Sequence, residues 1–269
     1  MCSSDLEPRE RVLQWSSTTF AALRRLAAAE PTAGVAMTPL LIAVPESSGT
    51  PWWAPAVERW TRLCPDQVPA PLTAAIAVEV PVCDTTVHLP WLLQRISALG
   101  GVIVRRTVHA LDEALAVAPT VVNCTGLGAA ALCNDREVIP VRGQVVCVES
   151  ANVANALIDD LGDSPVYIVP RVHDVVLGGT AQRGDLRTDV DAQDTARILA
   201  ATQLRMPSLK GATMRAVRTG LRPFRNQIRL EIERRPHGRR IVHNYGHGGS
   251  GFTLNWGCAA EVAALLAAR

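Results

Sequence analysis

The stretch Ile241-Val-His-Asn-Tyr-Gly-His-Gly-Gly-Ser-Gly-Phe-Thr253 passes from an apolar strand pattern into a glycine-rich loop and then into a helix pattern over about 254–268. Four of the six positions from 246 to 251 are glycine. Without Cβ atoms, that backbone can approach a flat or anionic ligand closely, and the free N–H groups opening the helix favour negative charge there. A plain strand-to-helix turn needs only one or two glycines, so the surplus points to a ligand. His243 and His247 have the spacing of a helical metal pair, but the glycines between and around them do not suit a helix. No metal site is expected.

Upstream of the loop, Ile228, Leu230 and Ile232 alternate with Arg229, Glu231 and Glu233, and pair across Pro236-His237-Gly238 with Ile241-Val242-His243. A second hairpin joins 167–169 to 175–177 across Arg171-Val172-His173-Asp174, and a helix is expected over about 191–204. Residues 120–124 form a strand pattern apolar enough to lie buried inside a sheet. Residues 102–108 are expected to form another strand, with a short helix at about 111–115. Pro90 starts a helix over 91–99 that Gly100-Gly101 stops. From 34 to 79, short apolar runs such as Leu40-Leu41-Ile42 alternate with prolines and glycines, the pattern of short strands and long loops. Near the start, Pro8 opens an amphipathic helix carrying Val12, Trp15, Thr19, Leu23 and Leu26, and Pro31 closes it. This alternation of helices and strands predicts an α/β fold.

With 269 residues and 48% hydrophobic composition, the chain can bury the core of one large domain or two small ones, which excludes disorder. Its 27 basic against 25 acidic side chains leave +2, too small a surplus for a nucleic-acid or membrane footprint. A small-molecule partner is therefore expected. No apolar run reaches the ~18 residues of a membrane span, and Asp5, Glu7 and Glu10 make the start too acidic for a signal peptide. These features predict a soluble, cytoplasmic chain. The seven cysteines (2, 64, 83, 124, 133, 147 and 258) form no CxxC pair, so reduced thiols are expected.

At the glycine loop the sequence resembles the D-amino-acid oxidase family of flavoproteins. That signature runs from an apolar pair and His-Asn-Tyr-Gly through glycines to Gly-x5-Gly-x-Ala, and the tail here is Gly251, five residues, Gly257, Cys258 and Ala259. Four further stretches look like the family in the same order. They are Val121-Val-Asn-Cys-Thr-Gly126, Pro140-Val-Arg-Gly-Gln144, Tyr167-Ile-Val-Pro170 leading to Leu177-Gly-Gly-Thr180, and Gly220-Leu-Arg-Pro223 leading to Arg229-Leu-Glu231. The resemblance extends from about Glu7 to the end.

It implies FAD as cofactor and oxidative deamination of D-amino acids by oxygen, giving 2-oxo acids, ammonia and hydrogen peroxide. Arg222 would pair with the substrate carboxylate, because a planar guanidinium matches a carboxylate in two hydrogen bonds; taken alone, it is one of 27 basic residues. Tyr167 would add a hydroxyl to that carboxylate, its plainer reading being a core aromatic of a half-buried strand. Gly249 would offer its carbonyl to the substrate amine. Gly248, Gly251, Phe252 and Thr253 would surround the flavin pyrimidine edge, where a helix start stabilises negative charge. Val108 and the strand end Asn123, Cys124, Thr125 and Gly126 would line the cofactor from another side.

Two departures modify this expectation. Vertebrate members carry a second active-site tyrosine on a lid four positions before the Tyr167 equivalent; Asp163 stands there, so an open site is expected. The family also begins with a strand, G-x-G-x-x-G and a helix that admit the cofactor pyrophosphate, and no such motif precedes Glu7. Gly126-Leu-Gly128 supplies only a G-x-G. Residues 2–6 resemble translated sequencing-adaptor DNA, so an N-terminally truncated reading is expected, with weak or no FAD retention, no measurable peroxide from the chain on its own and a tendency to aggregate.

The resulting picture is an α/β fold discontinuous in sequence, with an incomplete Rossmann-like FAD layer and a mixed-sheet substrate domain. Residues 1–88 would hold the first helix and the first segment of the substrate domain, and 138–225 its second segment. Residues 89–137 and 226–269 would form the FAD-binding segments. D-aspartate oxidase is an alternative activity, because Arg171 could share a strand face with Tyr167 and Val169, although Pro170 interrupts that alternation. A non-catalytic remnant or binding module is an alternative of another class, and a homodimer is compatible with either.

Overall fold

The computed structural model describes residues 8–149 and 153–268; the adaptor-like stretch 2–6, with Cys2, lies outside them. In chain order the elements are α1 (Arg9–Ala29), β1 (Val35–Ala43), β2 (Trp60–Arg62), β3 (Ala75–Cys83), α2 (Thr85–Ala98), α3 (Leu111–Leu115), β4 (Thr120–Asn123) and α4 (Ala129–Leu132). They continue as β5 (Ile139–Glu149), β6 (Ala156–Asp159), β7 (Val166–Pro170), β8 (Asp174–Gly178), β9 (Gln182–Arg183), α5 (Ala192–Arg205), β10 (Met214–Arg234), β11 (Arg240–His247) and α6 (Gly251–Ala267). The fold is α/β, and the chain divides into two compact units. One gathers the residues up to Thr19, Arg95–Val141 and everything from Arg222 onward; the other holds Phe20–Gln94 and Arg142–Leu221.

In the second unit the strand order is β2-β3-β1-β6-β7-β8-β5-β10, with β9 paired to β5. The sheet is mixed: β1 runs antiparallel to β3 from Val35↔Cys83 to Ala43↔Ala75, but parallel to β6. The expected hairpin forms as β7 against β8, with Ile168 opposite Leu177. Apolar alternation puts Val146, Val148, Leu157, Ile168, Val175 and Leu177 on one buried face, which Ile198 of α5 and Leu209 cover. Each such side chain contributes roughly 1.5–3 kcal/mol by leaving water. Asp191 caps α5 by accepting from the Gln193 and Asp194 amides, close to the expected start.

In the first unit, β11 lies between the C-terminal half of β10 and β4. It is antiparallel to β10, with Ile232 opposite Val242, and parallel to β4, with His243 opposite Asn123. The first turns of α1 pack on α6, where a Cβ at Gly257 would stand 2.4 Å from Trp15 Cα, so only glycine fits. Trp15 Nε1 donates to Glu261 at 2.6 Å, and the Gly257 amide to Thr19 Oγ1 at 2.9 Å.

Several expectations need correction. Residues 102–108 form no strand, and Val102 is 84% exposed. A β-forming composition is realised only against a neighbouring edge, and no described residue offers one there. β4 is not enclosed by the sheet among the described residues, where β11 is its only neighbour in the strand order and Val122 is exposed. α2 begins at Thr85 instead of at Pro90, because the Asp84 side chain accepts from the Thr86 amide and caps the helix earlier. α6 likewise begins at Gly251, three residues before the expected start. Six cysteines among the described residues are free thiols. None of the described helices is long and apolar enough to cross a membrane.

Candidate functional site

The glycine loop folds back over β10. A bulge interrupts the β10–β11 pairing between Phe224 and Arg229, and at this irregularity the Gly248 amide donates to Pro223 O at 2.9 Å. Gly248 adopts φ +54°, and a Cβ there would stand 3.2 Å from the Phe224 ring; the backbone fold and the close approach both call for glycine. At Gly126, just past β4, an added Cβ would stand 3.7 Å from Cγ of the same proline. One stretch of β10, Arg222 to Phe224, thus brings the segments 123–126 and 248–253 together.

The residues present fit a flavin here. Gly251 has open space where a Cβ would point, Ser250 makes no side-chain cap, and Gly249, Phe252 and Thr253 are exposed beside the start of α6. Asn244 Oδ1 and His247 Nε2 are buried without a hydrogen-bond partner among the described residues. Burial pushes the His247 imidazole down to about 4, so it is neutral at pH 7. Arg222 is half-buried on β10 and Val108 half-buried on the irregular segment, while Cys124 and Thr125 are exposed.

Behind the loop a polar network ties the unit together. Asp135 accepts from Tyr245 Oη at 2.9 Å and Arg225 Nε at 3.0 Å; although burial opposes it, these partners hold the carboxyl below the usual carboxylate range. Arg229 Nη1 donates to the same Tyr245 oxygen at 2.8 Å.

Tyr167 belongs to the other unit. It stands on β7 opposite Gly178 of β8, and its ring lies against the Gly178-Gly179 backbone. A Cβ on Gly178 would fall 2.0 Å from Tyr167 Cζ, so the two glycines make the floor that receives the ring. That floor is anchored by buried polar groups that lie in stretches the family resemblance picked out but were given no role there. Thr180 Oγ1 accepts from the Gln144 amide at 2.8 Å. Arg142, fully buried, donates to Gln182 Oε1 at 2.7 Å, Asp194 Oδ2 at 3.1 Å, Gln144 Oε1 at 2.9 Å and Asp189 O at 2.7 Å. The available signal was the pair Arg142 and Gln144, two apart on one face of an otherwise apolar strand.

Arg171 does not share the Tyr167 face as an available cation. It lies just past β7, donates to both oxygens of Asp174 at 2.8 and 2.7 Å, and stands 3.6 Å from Asp84. The hydrogen bonds to Asp174 keep it charged and committed.

A protein-family model described as FAD dependent oxidoreductase matches residues 2–265. The chain is 41% identical over 263 residues to a D-amino-acid oxidase of Rubrobacter xylanophilus, covering 97% of this chain and 80% of that one. It is 46% identical over 189 residues to a D-amino-acid oxidase of Streptomyces coelicolor, covering 70% of this chain and 58% of that protein. Its fold is similar to the solved structure of glycine oxidase from Geobacillus kaustophilus, with a TM-score of 0.73 at 20% identity over 94% of this chain and 77% of that one.

Proposed function

Because the chain belongs to the FAD-dependent oxidoreductases, we propose that it carries out the oxidative deamination of D-amino acids, with FAD held by the glycine loop and the end of β4. The observation that carries this reading is the convergence of Gly126 and Gly248 on Pro223, which sets the motif Gly220-Leu-Arg-Pro223 beside backbone open to a ligand. Bound there, FAD would supply the acceptor for the substrate's α-hydrogen and the route of its electrons to oxygen, released as hydrogen peroxide. The chain's own residues bind and orient. Arg222 holds the carboxylate through a two-point ion pair, the Tyr167 hydroxyl adds a hydrogen bond to it, and the Gly249 carbonyl accepts from the amine. With carboxylate and amine fixed, only the D-enantiomer turns its α-hydrogen toward the acceptor. Asn123, Cys124, Thr125, Gly126 and Val108 line the cofactor, as do Gly248, Gly251, Phe252 and Thr253. The released imino acid hydrolyses in water to a 2-oxo acid and ammonia. We place the protein in the cytoplasm as a soluble enzyme, compatible with a homodimer, acting on a small molecule and oxygen and not on nucleic acid.

The test is peroxide production by the FAD-supplemented protein with D-alanine, L-alanine and D-aspartate. Peroxide from D-alanine and not from L-alanine is the expected outcome; equal rates with both enantiomers of alanine would contradict the binding geometry. Arg171, already neutralised by Asp174, is not available to an acidic side chain, so D-aspartate is expected to be the poorer substrate. FAD binding without turnover of any D-amino acid would favour a non-catalytic binding module.

A further inference from the structure

Three buried or half-buried polar side chains form a row across the first unit: Glu233 on β10, His243 on β11 and Asn123 on β4. His243 has no exposed surface and Asn123 only 1%. The imidazole sits between the other two, with Nε2 2.9 Å from Glu233 Oε2 and Nδ1 3.2 Å from Asn123 Nδ2. A carboxylate can only accept and an amide nitrogen can only donate, so the ring must carry its proton on Nε2 and offer the Nδ1 lone pair. This fixes the Asn123 amide as well. With Nδ2 facing His243, and 3.2 Å from Cys133 Sγ, its Oδ1 accepts from the Thr125 amide at 3.2 Å and from Thr125 Oγ1 at 2.7 Å. Thr125 is where the turn Gly126–Gly128 leaves β4. Every donor in the series points the same way, from Thr125 through Asn123 and His243 to Glu233.

We infer that Glu233 and His243 are positioning residues for the Thr125–Gly128 turn, acting through the Asn123 amide, and that a proton added to His243 releases the turn. The functional importance of the turn rests on the flavin reading above. Once both ring nitrogens carry protons, Nδ1–H meets the amide NH2 donor to donor. Cys133 Sγ, 3.8 Å from Nδ1, is too weak an acceptor to replace the lost bond, so the amide rotates and takes Oδ1 away from Thr125. The groups facing His243 are Glu231, Glu233 and Arg229 on β10, Cys133 just after α4 at 3.8 Å, and the Tyr245 ring on its own strand at 5.8 Å. Burial disfavours the charged ring and Arg229 adds to this, while Glu233 and Glu231 favour it; burial prevails, and the imidazole titrates below its ordinary range. The turn is therefore held at neutral pH and let go in acid.

Two measurements on the same protein test this. Amide hydrogen exchange at Thr125 and Gly126 without FAD, followed against pH, reports the relay alone. The FAD dissociation constant, from quenching of flavin fluorescence over the same pH range, reports its consequence. Wild type should show faster intrinsic-corrected exchange and weaker FAD binding in one shared acid step. His243→Gln, which carries one donor and one acceptor, should keep FAD affinity at pH 8 within about threefold and lose the step. Glu233→Gln should move the step to lower pH, because the neutral amide no longer stabilises the protonated ring. His243→Leu should weaken FAD binding about tenfold even at pH 8. An unchanged acid step in His243→Gln, or ¹⁵N shifts placing the neutral ring proton on Nδ1, would overturn the inference and leave the flavin reading intact. The acid step in exchange without FAD affinity at any pH would instead overturn the flavin reading, and with it the turn's role.

Discussion

Among the described residues His247 Nε2 has no partner, and burial pushes the imidazole to about 4, whereas an unfolded histidine titrates near 6.5. The folded state binds fewer protons than the unfolded state between those values, so stability falls as pH drops from about 6.5 toward 4. The loss can reach about 3 kcal/mol. Thermal melts from pH 8 to pH 4 should show Tm declining through that window in wild type and declining less in His247→Leu. Arg222 and Tyr167 form a second comparison at this scale. Arg222→Ala leaves a carboxylate without its charged partner and should cost about 3–5 kcal/mol in kcat/KM if the site is dry. Tyr167→Phe keeps the ring on its glycine floor and loses one hydroxyl, about 1–2 kcal/mol. Comparable losses would remove Arg222 from its assigned role. Residues that make irregular motifs, such as His243-Asn-Tyr-Gly246 and Gly220-Leu-Arg-Pro223, could be picked out in the sequence. The roles of Arg142 and Glu233 were not legible there, because their bonds depend on strands brought together by the fold.

At the scale of elements, α1 and α6 approach most closely at a glycine, beside the bonds of Arg11 and Trp15 to Glu261. Gly257→Ala would drive a methyl group into the Trp15 backbone, 2.3 Å from its carbonyl oxygen, and neither helix can yield locally. It should lower unfolding free energy by at least about 1–3 kcal/mol, measured by urea titration. Gly178→Ala should act differently. The obstruction is the Tyr167 ring, which must swing off β8, so KM for the amino acid should rise together with the loss of stability. The sequence revealed this hairpin because alternating β-formers flank a short turn. It misplaced the start of α2 because Pro90 gave a stronger local signal than the Asp84 cap. It assigned a strand to 102–108 because composition carries no information about whether a neighbouring edge exists.

For the molecule as a whole, that unpaired segment matters most for solubility. Leu99, Val102, Ile103 and Val104 are 86, 84, 61 and 74% exposed, a run of apolar side chains in water. Such a run favours self-association. Light scattering against concentration should show less association for the double variant Val102→Lys, Val104→Lys, with the far-UV circular dichroism unchanged. The α/β class could be read from the order of the elements. The division of the chain into two units could not be derived from periodicity, because it depends on contacts between distant segments.

Those distant segments also set a timetable for synthesis. Arg11 and its partner Glu261 are 250 residues apart, and Trp15 waits for the same carboxylate. At ~5–20 residues per second, α1 emerges on the order of tens of seconds before the helix that covers it. During that interval the core of β5 to β8 and α5 can already close, since its strands follow one another closely in the chain. The glycine loop follows both α1 and that core in the chain, so cofactor capture by this route comes after both have been made. A ribosome stalled before α6 would hold a nascent chain with one folded unit and a bare tryptophan, a species that chaperones can distinguish from the finished protein.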